Sequence, residues 1–305
     1  LKSQERKDQF GEVFTPPTLV REMLDKLPNE TFVDPTKVIG DVTGCGSGNF
    51  LVEVIKRKIE NGSSTPVQAL STTYGVELLR DNVQECHQRL LHVAFESSGQ
   101  VPTFEWAIIV ATNVVCANAL TYDMEFKINP NVEKYAKKLL EKVRTLQLTE
   151  SDHERCVKLA KSAKFYGPPP TGDINDRLRG LVGEIVGSFF VQSSMTHLEV
   201  MNQWYKRQRN ISKLNEHANV GDGGTDLDHK NGMKIGFKTI VPGNRHVYMT
   251  SYDLKSDVQI VIEANENNRT YRIVGTTNVS KRYSIPHAKK RGSEGVYVHE
   301  LDNVL

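Results

Sequence analysis

Apolar and polar positions fall in blocks along this chain, and the period changes from block to block. Residues 16–27 open on proline and carry Leu19, Val20, Met23, Leu24 and Leu27 on one face, which predicts a helix. Residues 38–42 predict a short buried strand. A helix is expected from about Asn49, with Phe50, Leu51, Val54 and Ile55 inward, until NGSSTP at 61–66 breaks it. Residues 69–76 predict a second strand ending at Glu77, and residues 80–95 a helix. The third apolar stretch, 105–116, is read as a strand and ends in CANALTYD. Strand, helix, strand, helix, strand predicts an α/β unit with a mainly parallel sheet.

The pattern changes at residue 127. Residues 127–165 are lysine-rich and helical in period, with Val132, Tyr135, Leu139, Leu140 and Val143 as one stripe; two helices are expected, meeting near Leu148–Glu150. GPPPTGD at 167–173 is a stiff break and the expected domain boundary. Helices are then expected around 175–192 and 196–210, and strands near 233–240, 245–251, 257–264 and 270–275. The expected organisation is a first domain at 1–126, a helical linker at 127–172 and a second domain, α+β or α/β around a mixed sheet, at 173–305.

Composition narrows the class. In 305 residues, 38% hydrophobic and 25% charged, no apolar run approaches a membrane span, and LKSQERKDQF at the start has no signal-peptide pattern. The four cysteines form no CxxC pair, so neither a zinc site nor a disulfide scaffold is expected, and a reducing cytoplasmic setting is. A net charge of +2 is too small to mark a nucleic-acid binder by itself. The basic residues are concentrated, however, at KRQR (206–209) and around 289–291. Trp204 and Tyr205 beside Lys206, Arg207 and Arg209 make a cluster able to stack on bases or grip phosphates, or simply a solvated helix face.

Gly44, Gly46 and Gly48 stand between an apolar strand and a helix, where bare backbone can approach a ligand and expose N–H groups. Glu77 closes the next strand, where an acid can accept ribose hydroxyls. Asn118 closes the third, where a side chain could meet an adenine edge. Together these features point to a ribose-containing cofactor. GEVFTP (11–16), CGSGNF (45–50), GVELLRDNV (75–83) and CANALTYD (116–123) resemble the N6-adenine DNA methyltransferases that use S-adenosylmethionine. The resemblance covers residues 11–126. It implies a Rossmann-like methyltransferase sheet, incomplete before residue 127. Phe14 would pack on the cofactor, Thr15 hold its carboxylate end, Glu77 bind the ribose and Asn118 contact the adenine. Two departures stand out. Asn118 replaces the usual Asp. The family's target-base loop, a polar residue with two prolines and an aromatic, is reduced to Asn129 and Pro130 in KINPNVEKY; Asn129 is the local candidate to hold the target amine.

GDGGTDLDHKNGMKIGFKT at 221–239 predicts a hairpin with Asp226 before the turn and Gly236 and Lys238 on one side of the second strand. Over 176–275 this resembles the PD-(D/E)XK nuclease superfamily, implying an α+β restriction-endonuclease-like domain. Asp226 and helical Glu184 would be its Mg²⁺ acids and Lys238 would orient the attacking water. The family places Glu or Gln where this chain has Gly236. Asp222, Asp228 and Glu184 are the nearby residues that could compensate.

Three functional classes stay open. The first is an adenine-specific DNA methyltransferase of restriction–modification type, with an appended nuclease-like domain. The second is a decayed DNA-binding or regulatory subunit, phage-like in its compactness. The third is a Mg²⁺-dependent DNA endonuclease whose first domain senses the cofactor. The expected partners are double-stranded DNA and a companion methyltransferase or specificity subunit, with no membrane.

Overall fold

The computed structural model describes residues 4–61, 64–163, 174–218, 225–243, 246–249, 256–277, 294–297 and 299–300. The chain divides into two compact units, 1–143 and 144–305. Both are mixed α/β.

The first unit runs α1 (Gln4–Phe10), α2 (Pro17–Leu24), α3 (Glu30–Val33), β1 (Ile39–Asp41), α4 (Asn49–Glu60), α5 (Pro66–Ser71), β2 (Thr73–Glu77), α6 (Arg80–Ser98), α7 (Phe104–Asn113), β3 (Val114–Cys116) and α8 (Pro130–Val143). Its three strands are parallel in the order β1-β2-β3, with Asp41 beside Gly75 and Glu77 beside Cys116. Parallel strands need long crossovers, and helices supply them here. The carboxyl ends of all three strands therefore lie at one edge, where open α/β sheets place ligands.

Two expected strands are corrected. The stretch 69–76 is strand only from Thr73, because α5 occupies 66–71. Thr65 caps that helix, accepting from Gln68 N–H while Gln68 reaches back to Thr65 N–H, and Pro66 takes the first position. The stretch 105–116 is mostly α7: Thr103 Oγ1 accepts from Trp106 N–H, and only residues 114–116 extend. An all-apolar run does not by its period distinguish a buried helix from a buried strand. In this case α7 is packed between α5 and α8.

Residues 127–172 also divide differently from the expectation. α8 buries Ala136, Leu139, Leu140 and Val143 in the same core as Leu51, Leu90, Trp106 and Val110. Tyr135 Oη on α8 donates to His87 Nδ1 at 2.8 Å, and His87 Nε2–H donates to Val114 O at 2.8 Å. The unit thus ends at Val143. The expected boundary at 167–173 lies outside the described residues.

The second unit comprises β4 (Thr145–Gln147), α9 (Glu150–Ser162), α10 (Ile174–Val191), α11 (His197–Ala218), β5 (Leu227–Asp228), β6 (Lys234–Ile240), β7 (His246–Met249), β8 (Val258–Asn265), β9 (Thr270–Thr277), β10 (Glu294–Tyr297) and β11 (His299–Glu300). β5, β6, β8 and β9 neighbour one another in that order. β6 and β8 are parallel and the other pairs antiparallel; β4 and β11 both pair with β9, and β7 pairs with β10. β4, a three-residue strand within the stretch expected to be helical, is too short to carry a period. α10 lies against β6 through glycines: a methyl on Gly187 would collide with the Phe237 ring, and one on Gly183 with Thr239. No helix among the described residues is long and apolar enough to cross a membrane.

Candidate functional site

The loop after β1 is built by its glycines. Gly44, Gly46 and Gly48 have φ of +136°, +56° and +85°, a region that side chains rarely adopt. Cys45 N–H donates to Val76 O at 2.9 Å, which ties the loop to β2. The side-chain contact with Cys86, and after it burial, hold the Cys45 thiol far above its ordinary pKa, so it serves as packing. Arg89 Nη1 on α6 donates to Ser47 O at 2.7 Å, to Ser47 Oγ at 2.9 Å and to Asn49 Oδ1 at 2.8 Å, closing the loop from below.

Glu77, buried at the end of β2, is the centre of the site. Its Oε2 accepts from Gly46 N–H at 2.8 Å, and its Oε1 accepts from Leu79 N–H at 2.9 Å and Asn82 Nδ2 at 3.5 Å. Asn82 Nδ2 also donates to Glu12 Oε1 at 2.8 Å, and Arg6 Nη2 donates to the same oxygen at 2.6 Å. The chain from Arg6 through Glu12 and Asn82 fixes the carboxylate from behind. Asp41 lies close by at the end of β1; burial, and secondarily the Glu77 charge, push its carboxyl above the usual range.

The other predicted cofactor residues gather at the same edge. A methyl on Gly46 would lie 3.2 Å from Phe14 Cε1, so the Phe14 ring rests on the loop. Thr15 O accepts from Asn49 Nδ2 at 2.7 Å, coupling the entry segment to the start of α4. Ala117 N–H donates to Glu77 O at 3.0 Å, which carries β3 past Glu77 and brings exposed Asn118 to the edge. Asn118 Oδ1 accepts from Leu120 N–H at 3.0 Å, a local turn bond. Sequence reasoning missed Arg6, Glu12, Asn82 and Arg89. Glu12 lies inside GEVFTP and was open to notice; Asn82 and Arg89 have no local signal.

Asn129 directly precedes α8. Its Oδ1 accepts from Asn131 N–H at 3.0 Å and Val132 N–H at 3.1 Å, which is the capping geometry for the first turn of α8.

In the second unit, Asp226 stands opposite Gly236. Asp226 N–H donates to Ile235 O at 2.9 Å, and Asp226 Oδ2 accepts from Phe237 N–H at 2.6 Å. Lys238, half-buried, follows two residues along β6 on the face of Gly236. Glu184 sits on α10, the helix against the opposite face of Phe237 and Thr239, and its Oε2 accepts from Trp204 Nε1 at 3.2 Å. Asp228 pairs with Arg207 at 3.0 Å, and Asp222 lies outside the described residues. Among the described residues no three His, Cys, Asp or Glu side chains converge on a metal position. The space that a side chain at 236 would occupy is filled by the Gln259 amide from β8, whose residue 259 is in register with 236.

Comparison with family models, with curated proteins and with solved structures finds no match to this chain.

Proposed function

We propose that the first unit binds S-adenosylmethionine and that the chain acts on double-stranded DNA as an adenine-N6 methyltransferase of restriction–modification type. One observation carries this reading: Phe14, the bare backbone of Gly46 and the carboxylate of Glu77 meet at the carboxyl edge of β1 and β2, with Gly46 N–H to Glu77 Oε2 at 2.8 Å. The fit to an adenosyl ligand rests on chemistry present in the chain. Glycine leaves room for close approach, and a carboxylate oriented by N–H donors is preorganised to accept ribose hydroxyls. Phe14 offers an apolar face, the Thr15 segment is anchored through Asn49, and Asn118 offers an amide to an adenine edge. When bound, the cofactor supplies a methyl group activated on a sulfonium.

Glu77 orients, Phe14 excludes water and the glycine loop admits the ligand. With the donor held there, the contribution of these residues would be positioning and exclusion of water. The capping bonds of Asn129 argue against giving it the amine-holding role. The test is label transfer from the methyl donor to duplex DNA, followed by nucleoside analysis. N6-methyladenine that disappears in Glu77→Ala supports the reading. Donor binding without transfer selects a regulatory subunit instead, and no donor binding removes the reading.

A second reading, Mg²⁺-dependent DNA cleavage by a restriction-endonuclease-like second unit, is favoured by Asp226 facing Gly236 with Lys238 on the same side of β6. Chelator-sensitive nicking of plasmid DNA that is lost in Lys238→Ala tests it.

A further inference from the structure

Glu77 has few places left to accept a hydrogen bond, because the protein already uses most of them. An ionised carboxylate offers about four acceptor positions, two on each oxygen. Leu79 N–H at 2.9 Å and Asn82 Nδ2 at 3.5 Å both reach Oε1. Among the described residues Gly46 N–H alone reaches Oε2, at 2.8 Å. Oε1 is therefore occupied on both sides, and Oε2 keeps one open position.

The Asn82 bond is the longest of the three, yet the amide is pinned beside Oε1. Asn82 is 1% exposed. Its Nδ2 also donates to Glu12 Oε1 at 2.8 Å, and its Oδ1 accepts from Arg6 Nη2 at 3.5 Å. Arg6 is itself fixed on two sides. Its Nε and Nη2 donate to the two oxygens of buried Glu12 at 3.0 and 2.6 Å, and its Nη1 donates to Asp81 Oδ2 at 2.7 Å. A buried amide bonded through both of its polar atoms stays in place, since moving it would leave buried groups without partners. A ligand hydroxyl approaching Oε1 therefore meets Asn82.

We propose that Glu77 holds the donor's ribose through a single hydroxyl, at Oε2, and that Asn82 is the specificity-determining residue that closes Oε1 to the other. This deepens the methyl-donor reading of the first unit and rests on it. An acid open on both oxygens can accept two hydroxyls, one on each; this acid has room for one. A ligand lacking the second hydroxyl should keep its affinity. Arg6 and Glu12 act through Asn82, as the groups that hold its amide in place.

The test is calorimetry of the full chain with S-adenosylhomocysteine and with its 2′-deoxy and 3′-deoxy forms, with thermal unfolding as the folding control. In wild type one deoxy form should bind as tightly as the parent. The other should bind about tenfold or more weakly, the loss expected for a hydrogen bond to a charged acceptor. Asn82→Ala opens Oε1, so in that variant both deoxy forms should bind more weakly than the parent. Glu77→Ala should bind all three alike. The wild-type comparison decides the single-hydroxyl claim without any variant. A tenfold loss with each deoxy form, or a loss with neither, would overturn the inference while leaving donor binding intact. An unchanged pattern in folded Asn82→Ala would overturn the role of Asn82. No binding of S-adenosylhomocysteine or S-adenosylmethionine by wild type would overturn both the inference and the reading beneath it.

Discussion

Gly46 donates its backbone N–H to Glu77 Oε2 at 2.8 Å across 31 positions of sequence. The bond joins the loop after β1 to the end of β2 and sets the orientation of a buried carboxylate. Because both residues sit at the carboxyl ends of parallel strands, the contact lies at the edge where open α/β sheets place ligands. The neighbouring contacts, Phe14 over Gly46 and Asn49 on Thr15 O, place the entry segment against the same loop.

The loop has no room for a methyl at its last glycine. Gly48 has φ of +85°, and a Cβ there would collide with Cys86 Sγ on α6. Gly48→Ala should therefore destabilise the first unit by about 2 kcal/mol or more, from strain and overpacking together. Adding Cys86→Ala should recover the packing part but not the backbone part, a coupling that a double-mutant cycle in urea measures. Additive effects would mean that the loop does not pack on Cys86.

Asn129 should behave as a cap. Asn129→Ala should cost about 1 kcal/mol of stability, while Asn129→Asp or Asn129→Ser should retain most of it. Donor affinity should be unchanged in all three. Thermal unfolding with donor titration checks this. A variant of wild-type stability with abolished label transfer would restore Asn129 to the catalytic role.

His87 makes the first unit sensitive to acid. Burial lowers its pKa from 6.5 to about 4, and the bonds from Tyr135 Oη and to Val114 O suit the neutral ring. The unfolded chain takes up a proton below pH 6.5 that the folded chain refuses until about pH 4. Stability should therefore fall as pH drops through that window, by up to about 1.4 kcal/mol per unit, and level off below it. Trp106 lies in this core and Trp204 in the other unit, so a Trp204→Phe background lets fluorescence report the first unit alone. In that background His87→Asn should lack this component of the slope; equal slopes would contradict the assignment.

What could be read from the sequence follows physical range. The glycines at 44, 46 and 48 and the acid at 77 are legible because positive φ and strand-end acids leave residue-type signatures within short windows. The helices α2, α4, α6, α10 and α11 are legible because one face alternates with the other. α7 is not, because a helix covered on two sides loses its polar stripe. β4 is too short to carry a pattern, and its partner lies more than 120 residues away. Gln259 is the clearest case. Position 236 reads as a missing ligand in a local motif, and only the β6–β8 register shows which side chain fills the space.

Binding of the methyl donor at the β1–β2 edge underlies the proposed function. Isothermal calorimetry of the full chain with S-adenosylmethionine measures it directly, with Glu77→Ala as the control. The predicted result is one-site binding by wild type, weakened about 10- to 100-fold by loss of the charge-assisted hydrogen bonds that Glu77 makes. No heat with the wild-type chain, or equal affinity in Glu77→Ala, would contradict it.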